Sequence, residues 1–139
     1  MPVFNYGFEV STKGYCDVID VTEEVQEFVR QSGLKDGLAT VFVSGATAGV
    51  TTVEYESGLV ADLKAAFERL VPRNISYDHD SRWGDGNGFS HVRAALLKAS
   101  LSVPFSGGSL ITGTWQQIVV VDFDNRPRRR KVVVQVMGE

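Results

Sequence analysis

Read for hydrophobic and polar positions, the chain opens with two short β runs, "VFNYGFEV" and "GYCDVIDV". Between them "STKG" is a polar, glycine-containing connector of the kind that closes a hairpin. The spacing then lengthens. In "DVTEEVQEFVRQSG", Val25, Phe28 and Val29 make one apolar helical stripe, and Thr22 is placed to cap it. Glu23 and Glu24 sit in the first turn, where the helix dipole favours anions, and Gly33 supplies the stop. "LATVFVSG" alternates and ends in small residues, which predicts a strand leading into the loop "GATAGVTT" and then a β run "VTTVEYE". The clearest helical pattern is "SGLVADLKAAFERLVP": Leu59, Val60, Leu63, Ala66, Phe67 and Leu70 recur at helical spacing until Pro72, as in a core helix. A loop carrying His79 follows, then a helix at about "FSHVRAALLKAS" and a β run "SLSVPF". Two long β runs, "SLITGTWQQIVVVDFD" and "KVVVQVM", close the chain, joined by "NRPRRR" as a hairpin. Strands at both ends with interleaved helices, and no regular βαβ repeat, predict one α+β domain over residues 1–139. Its sheet is expected to be mostly antiparallel, with about three helices.

Composition narrows the function classes. A chain of 139 residues can bury one core without staples, and a net charge of -3 argues against a protein that coats nucleic acid. Cys16 is the only cysteine, so neither an intrachain disulfide nor a cysteine zinc cluster can form. The start "MPVFNYGFEV" has no basic segment ahead of a long apolar one, and no apolar run approaches the roughly 20 residues that span a bilayer. The expectation is a cytoplasmic protein with neither membrane nor nucleic acid as a partner.

Candidate chemistry centres on the only two histidines, His79 and His91, separated by the Asp-, Gly- and Asn-rich "DSRWGDGNGF". A folded-back loop brings the two imidazoles together. With Asp78, Asp80, Asp85 and Asn87 nearby, the segment offers ligands for a divalent metal, although no compact metal motif is present. The competing reading is a pair of surface or hydrogen-bonded histidines. "GDGNG" reads first as a stack of turns and second as a backbone nest for an anion. The small residues of "GATAG" let phosphate approach the backbone, but the loop lacks the lysine and spacing of a Walker loop. On an extended chain Arg128 and Arg130 of "RPRRR" share one face and Arg129 the other, so two guanidinium groups can converge on a phosphate or carboxylate; a solvated turn and a nucleic-acid contact are the alternatives. Trp115 and Gln116 of "TGTWQQ" fall in a β run, as core or interface residues or as a flat face for a heteroaromatic ligand.

In order along nearly the whole chain, "VTEEVQEFVRQSGLKDGLATVFV", "TAGVTTVE", "YDH", "GDGN", "SHVRAALL", "GTWQQI" and "RPRRR" resemble the YjbQ-like family, also described as the secondary thiamine-phosphate synthase family. The resemblance implies an α+β fold that assembles as a homotrimer, with a site of histidines and polar groups for a metal or phosphate. It implies a weak or auxiliary thiamine-phosphate synthase activity, joining a pyrimidine diphosphate to a thiazole phosphate with release of pyrophosphate. His79, His91 and Glu54 are then metal or phosphate contacts. Asn87, Thr47, Gly49, Arg128 and Arg130 hold a phosphorylated ligand, and Trp115 and Gln116 face its heterocycle. The cation is magnesium, or zinc at the histidines. One position departs from the pattern: members usually read His-Thr-Thr-Ala-Gly where this chain reads "GATAG", so Gly45 stands in place of a third histidine. The alternatives are a metal-assisted hydrolase of a small phosphate ester, and a non-catalytic trimeric binding protein for a small molecule or anion.

Overall fold

A computed structural model describes residues 1–139. Its elements, in order, are β1 (Val3–Thr12), β2 (Asp17–Asp20), α1 (Thr22–Ser32), β3 (Gly37–Val43), β4 (Ala48–Val53), α2 (Ser57–Leu70), α3 (Asp78–Trp83), α4 (Gly88–Leu97), β5 (Ser100–Ser106), β6 (Ser109–Leu110), β7 (Gln117–Asp122) and β8 (Arg128–Gly138). Five strands in the order β1-β8-β3-β5-β6 form one sheet, and β2-β7-β4 form a second. Every pairing is antiparallel. This is the α+β architecture the pattern predicts, and no helix is long and apolar enough to cross a membrane.

The two sheets face each other across the main core. Val41, Val43 and Val132, Val134, Val136 of the large sheet meet Val50, Ile118 and Val120 of the small one, with Val25 and Val29 of α1 closing one side. A second core lies behind the small sheet, where Val119, Val121 and Phe123 meet Phe67 of α2 and Ala94 of α4. Strand β7 is therefore buried on both faces, and alternate residues serve the two cores. The same parity carries charge toward the main core: Asp122 and Asp124 continue the register of Ile118 and Val120, while Arg128 and Arg130 continue that of Val132 and Val134.

Several local expectations change in the folded chain. The first two β runs do not form a hairpin: β1 pairs with β8 and β2 with β7, so "STKG" crosses from one sheet to the other. "NRPRRR" likewise links strands of different sheets instead of closing a hairpin. Thr22 is the first helical residue of α1 and not its cap; Asp20 Oδ1 accepts from the Thr22 backbone N–H at 2.9 Å and from its hydroxyl at 2.6 Å. Helix α2 buries only Phe67, and Leu70 is 75% exposed, because the helix lies on the outer face of the small sheet. His79 lies on the short helix α3, which brings the helices to four. In "TWQQ" Thr114 and Trp115 form a turn ahead of β7, and Trp115 is 72% exposed, so its ring is not in the core. Gly33 does end α1 in the left-handed conformation, at φ 70°.

Candidate functional site

At one end of the space between the sheets the apolar alternation gives way to charge. Here the end of β7 supplies Asp122, the segment just after it Asp124, and β8 supplies Arg130 and Arg128, all at positions of core-facing parity. Arg130 grips Asp122 with a two-pronged contact, Nε to Oδ2 at 2.7 Å and Nη2 to Oδ1 at 2.9 Å, and Thr12 donates to Oδ2 at 2.6 Å. Arg128 Nε donates to Asp124 Oδ2 at 2.7 Å, Thr47 Oγ1 donates to the same oxygen at 3.0 Å, and Asn87 Nδ2 donates to Oδ1 at 3.3 Å. Neither aspartate has any exposed surface. Burial by itself pushes the Asp124 carboxyl up, but hydrogen bonds from the Asn125 N–H, Asn87, Thr47 and Arg128 outweigh it and hold the group below the usual carboxylate range.

This buried frame carries the histidines. Asn87 stands at the N-terminal cap position of α4, where an asparagine side chain ordinarily bonds to the helix, yet it makes no capping bond. Asp80 Oδ1 accepts the Gly88 N–H at 2.8 Å instead. Gly88 lets α3 and α4 come this close, since a Cβ there would lie 2.6 Å from Tyr77 Cβ. The Asn87 side chain bridges Asp124 and His79, with His79 Nε2 at 3.1 Å from Asn87 Oδ1. Because Asp124 can only accept, Asn87 must present its amide N–H to it and its carbonyl oxygen to the imidazole. His79 Nε2 is then the protonated nitrogen, and in the neutral ring Nδ1 carries the lone pair. Asp85 Oδ1 lies 3.4 Å from the same Nε2.

His91, one turn into α4, packs its ring 4.3 Å from that of His79 at 49°. Burial, followed by the neighbouring His79, lowers its pKa, so His91 is neutral at neutral pH. A cleft of about 490 Å³ opens over these groups, lined among others by Thr47, Trp83, Asp85, His91, Arg128 and Arg130. The neutral His91 imidazole can accept a proton or ligate a cation. The two arginine charges are already balanced by two aspartates, and Asp85 adds a negative charge at the rim.

The donor set bears on the implied metal. Zinc takes at least three protein ligands, and no third His, Cys, Asp or Glu joins His79 and His91 in a common group. The residues fit magnesium better, because it needs only one or two carboxylates and takes its other oxygens from phosphate and water; Asp85 would hold it. At Gly45 φ is +126°, and a Cβ would lie 2.5 Å from Arg130 Nη1, so a histidine there requires the loop to move.

The residues singled out in the sequence separate into two groups. His79, His91, Asn87, Thr47, Arg128 and Arg130 meet around the cleft. Arg129 points away and pairs with Glu9 at 3.1 Å. Gly49 serves packing, since a Cβ there would lie 2.7 Å from Lys98 O. Glu54, Trp115 and Gln116 stand at the opposite end of the small sheet, separated from Thr47 by the length of β4, six residues or about 20 Å. Gln116 Nε2 bonds Thr52 Oγ1 there at 3.2 Å. Motif and spacing did not single out Asp122 and Asp124. Their signal was present: two acids in "IVVVDFD", at the parity of its core residues, followed by arginines at alternate positions.

Comparison with known proteins bears on the family and the fold. The family model described as UPF0047 protein YjbQ-like matches residues 6–139. A UPF0047 protein of Methanothermobacter thermautotrophicus is 35% identical over 139 residues, covering 100% of this chain and 95% of its own length. One from Archaeoglobus fulgidus is 37% identical over 128 residues, or 92% of this chain and 97% of that protein. Among solved structures, a hypothetical protein of Aeropyrum pernix superposes with a TM-score of 0.90 at 32% identity, covering 98% of this chain and 99% of that one. A match along nearly the whole length, in sequence and in fold, means that this chain belongs to the YjbQ-like family.

Proposed function

We propose that the cleft binds a phosphorylated small metabolite together with a divalent cation, and that the chain has a thiamine-phosphate synthase-like activity, condensing a pyrimidine diphosphate with a thiazole phosphate. The observation that carries this reading is the close pair of imidazoles, His79 held by Asn87 and Asp124, set beside Arg128 and Arg130 in one cleft. In the reaction the C–O bond of the pyrimidine methylene breaks and its electron pair leaves with pyrophosphate. The thiazole nitrogen then forms the new C–N bond with its own lone pair. Bond formation needs no proton transfer, so the protein's task is to stabilise negative charge growing on the leaving group. Neutral His91 can donate a hydrogen bond to it, and the outward N–H groups of Arg128 and Arg130 face the same space. The balanced arginine charges and the acidic Asp85 favour a phosphate that arrives with magnesium over a bare dianion. When bound, the cation would offset leaving-group charge.

A homotrimer belongs to the same proposal. Glu54, Trp115 and Gln116 are about 20 Å from their own cleft, and rotational assembly can bring one end of a subunit to the opposite end of its neighbour. The exposed Trp115 ring supplies a flat face for a heterocycle at such a junction. The setting we assign is the cytoplasm.

The test incubates the purified protein with both substrates and magnesium and looks for thiamine phosphate by mass spectrometry, with His91→Ala in parallel. Product that disappears in the variant supports the reading. No product from the parent protein overturns the condensation, and phosphate released from one substrate alone would instead make the protein a hydrolase.

A further inference from the structure

We propose that Arg130 and the backbone of Gly45–Thr47 form a subsite for a single phosphoryl oxyanion. It deepens the proposed function, resting on the phosphorylated ligand of that reading, and lies at the edge of the same cleft, which Ala46, Thr47 and Arg130 line.

Arg130 is 7% exposed. Of its five N–H groups, one on Nε and one on Nη2 are held by Asp122, and the second on Nη2 by Thr47 Oγ1. The two on Nη1 meet no acceptor anywhere in the chain. No buried side-chain nitrogen lacks a partner, so Nη1 is the edge of the fork that reaches open space, where it is free to donate to a ligand. Nη1 is aimed at the only place where the loop has no side chain, Gly45.

The loop is pinned on both flanks. Ser44 N–H donates to Lys131 O at 3.0 Å, and Thr47 O accepts from Phe123 N–H at 2.9 Å. Between these anchors the N–H groups of Gly45, Ala46 and Thr47 donate to nothing in the chain. Backbone donors on a tight loop beside a guanidinium fork are the recurrent chemistry of phosphate recognition. Ala46, Thr47 and Arg130 line the same cleft as His79 and His91, so a phosphoryl group seated here leaves the rest of its ligand facing the imidazoles. Gly45 has two roles: it reaches φ +126°, and it leaves the slot through which Nη1 contacts the ligand. Asp122 already balances the Arg130 charge, so inorganic phosphate alone binds weakly, with a Kd on the order of millimolar.

The experiment titrates inorganic phosphate into the 15N-labelled full chain at constant ionic strength. The expected result is saturable shifts of the Gly45, Ala46 and Thr47 amides and of the Arg130 guanidinium. In Gly45→Ala, whose methyl fills the slot, affinity falls at least tenfold. Saturable shifts centred elsewhere, or none at these groups, overturn the subsite, and this readout on the parent protein stands even if Gly45→Ala does not fold. Acetate moving the same signals with equal affinity overturns the phosphoryl assignment. Phosphate shifts without condensation product leave the subsite standing and the synthase reading refuted; condensation without these shifts does the reverse.

Discussion

Asp124→Asn is the substitution that most sharply probes the frame under the site, because the side chain keeps its shape and loses one acceptor and its charge. Asp124 is fully buried and accepts from Thr47, Asn87, Arg128 and the Asn125 N–H. An asparagine must aim its NH2 at one of two sets of donors. If it faces Arg128 and Thr47, it opposes the Arg128 N–H, and Thr47 cannot relieve this fully because its hydroxyl already accepts from Arg130. If it faces Asn87, that amide has to turn over, presenting its own NH2 to His79 Nε2 and driving the imidazole proton to Nδ1. Breaking a buried charged pair costs ~3–5 kcal/mol when the stranded partner cannot escape. Arg128 is one-third exposed and can reach water, and Arg130 keeps Asp122, so the expected loss is ~3 kcal/mol, near the lower end. For a chain of this length that corresponds to a fall of about 10 °C in Tm. Urea unfolding should show it as a lower midpoint at unchanged slope, and 15N imidazole spectra should show His79 moving from the Nε2–H form toward Nδ1–H. A loss under ~1 kcal/mol with the His79 tautomer unchanged would refute both the frame and the relay through Asn87.

Two further outcomes rest on the same geometry. Native His91 takes up a proton only below the ordinary imidazole value of 6.5, whereas the unfolded chain takes it up at that value. Its contribution to stability is thus full above pH 6.5, declines as pH falls below that point, and levels off once native His91 is also protonated. Urea midpoints measured from pH 7.5 down to about 5 should fall less in His91→Gln than in the parent; parallel curves would contradict the lowered pKa. Arg93, 2% exposed, donates to Val71 O through Nε at 3.0 Å and Nη2 at 2.8 Å, pairs with Glu68 and covers the Phe89 ring, tying the end of α2 to α4. Arg93→Leu should cost ~2–3 kcal/mol by stranding the Val71 carbonyl, and Arg93→Lys should recover only part of that because a lysine lacks the planar fork. Chemical denaturation measures both, and a neutral Arg93→Leu would show that the tie carries no energy.

What the sequence determined by itself was local, together with whatever a whole-chain pattern carries. Apolar periodicity located α1, α2, α4, β3 and β5, since a stripe or an alternation reports directly which face is buried. Gly33 marked a helix end because the left-handed turn there favours glycine. The family resemblance, read from motifs in order, indicated His79, His91, Asn87, Thr47, Arg128 and Arg130 as site residues, which do meet in one cleft, and also Glu54, Gly49, Trp115 and Gln116, which do not. Strand partners were decided only in three dimensions. "STKG" and "NRPRRR" look like hairpin turns, but register is set by burying two faces at once, and each connector crosses between sheets. The exposure of α2 and Trp115 was hidden for a related reason: helical spacing shows that one face is apolar, not how completely it will be covered. The fold alone converts the acids of "VVVDFD" from an anomaly into a structural frame. A strand buried on both faces admits Asp122, and Asp124 just past its end, only where another strand delivers Arg130 and Arg128 at matching parity, and that coincidence of two distant segments is a property of packing.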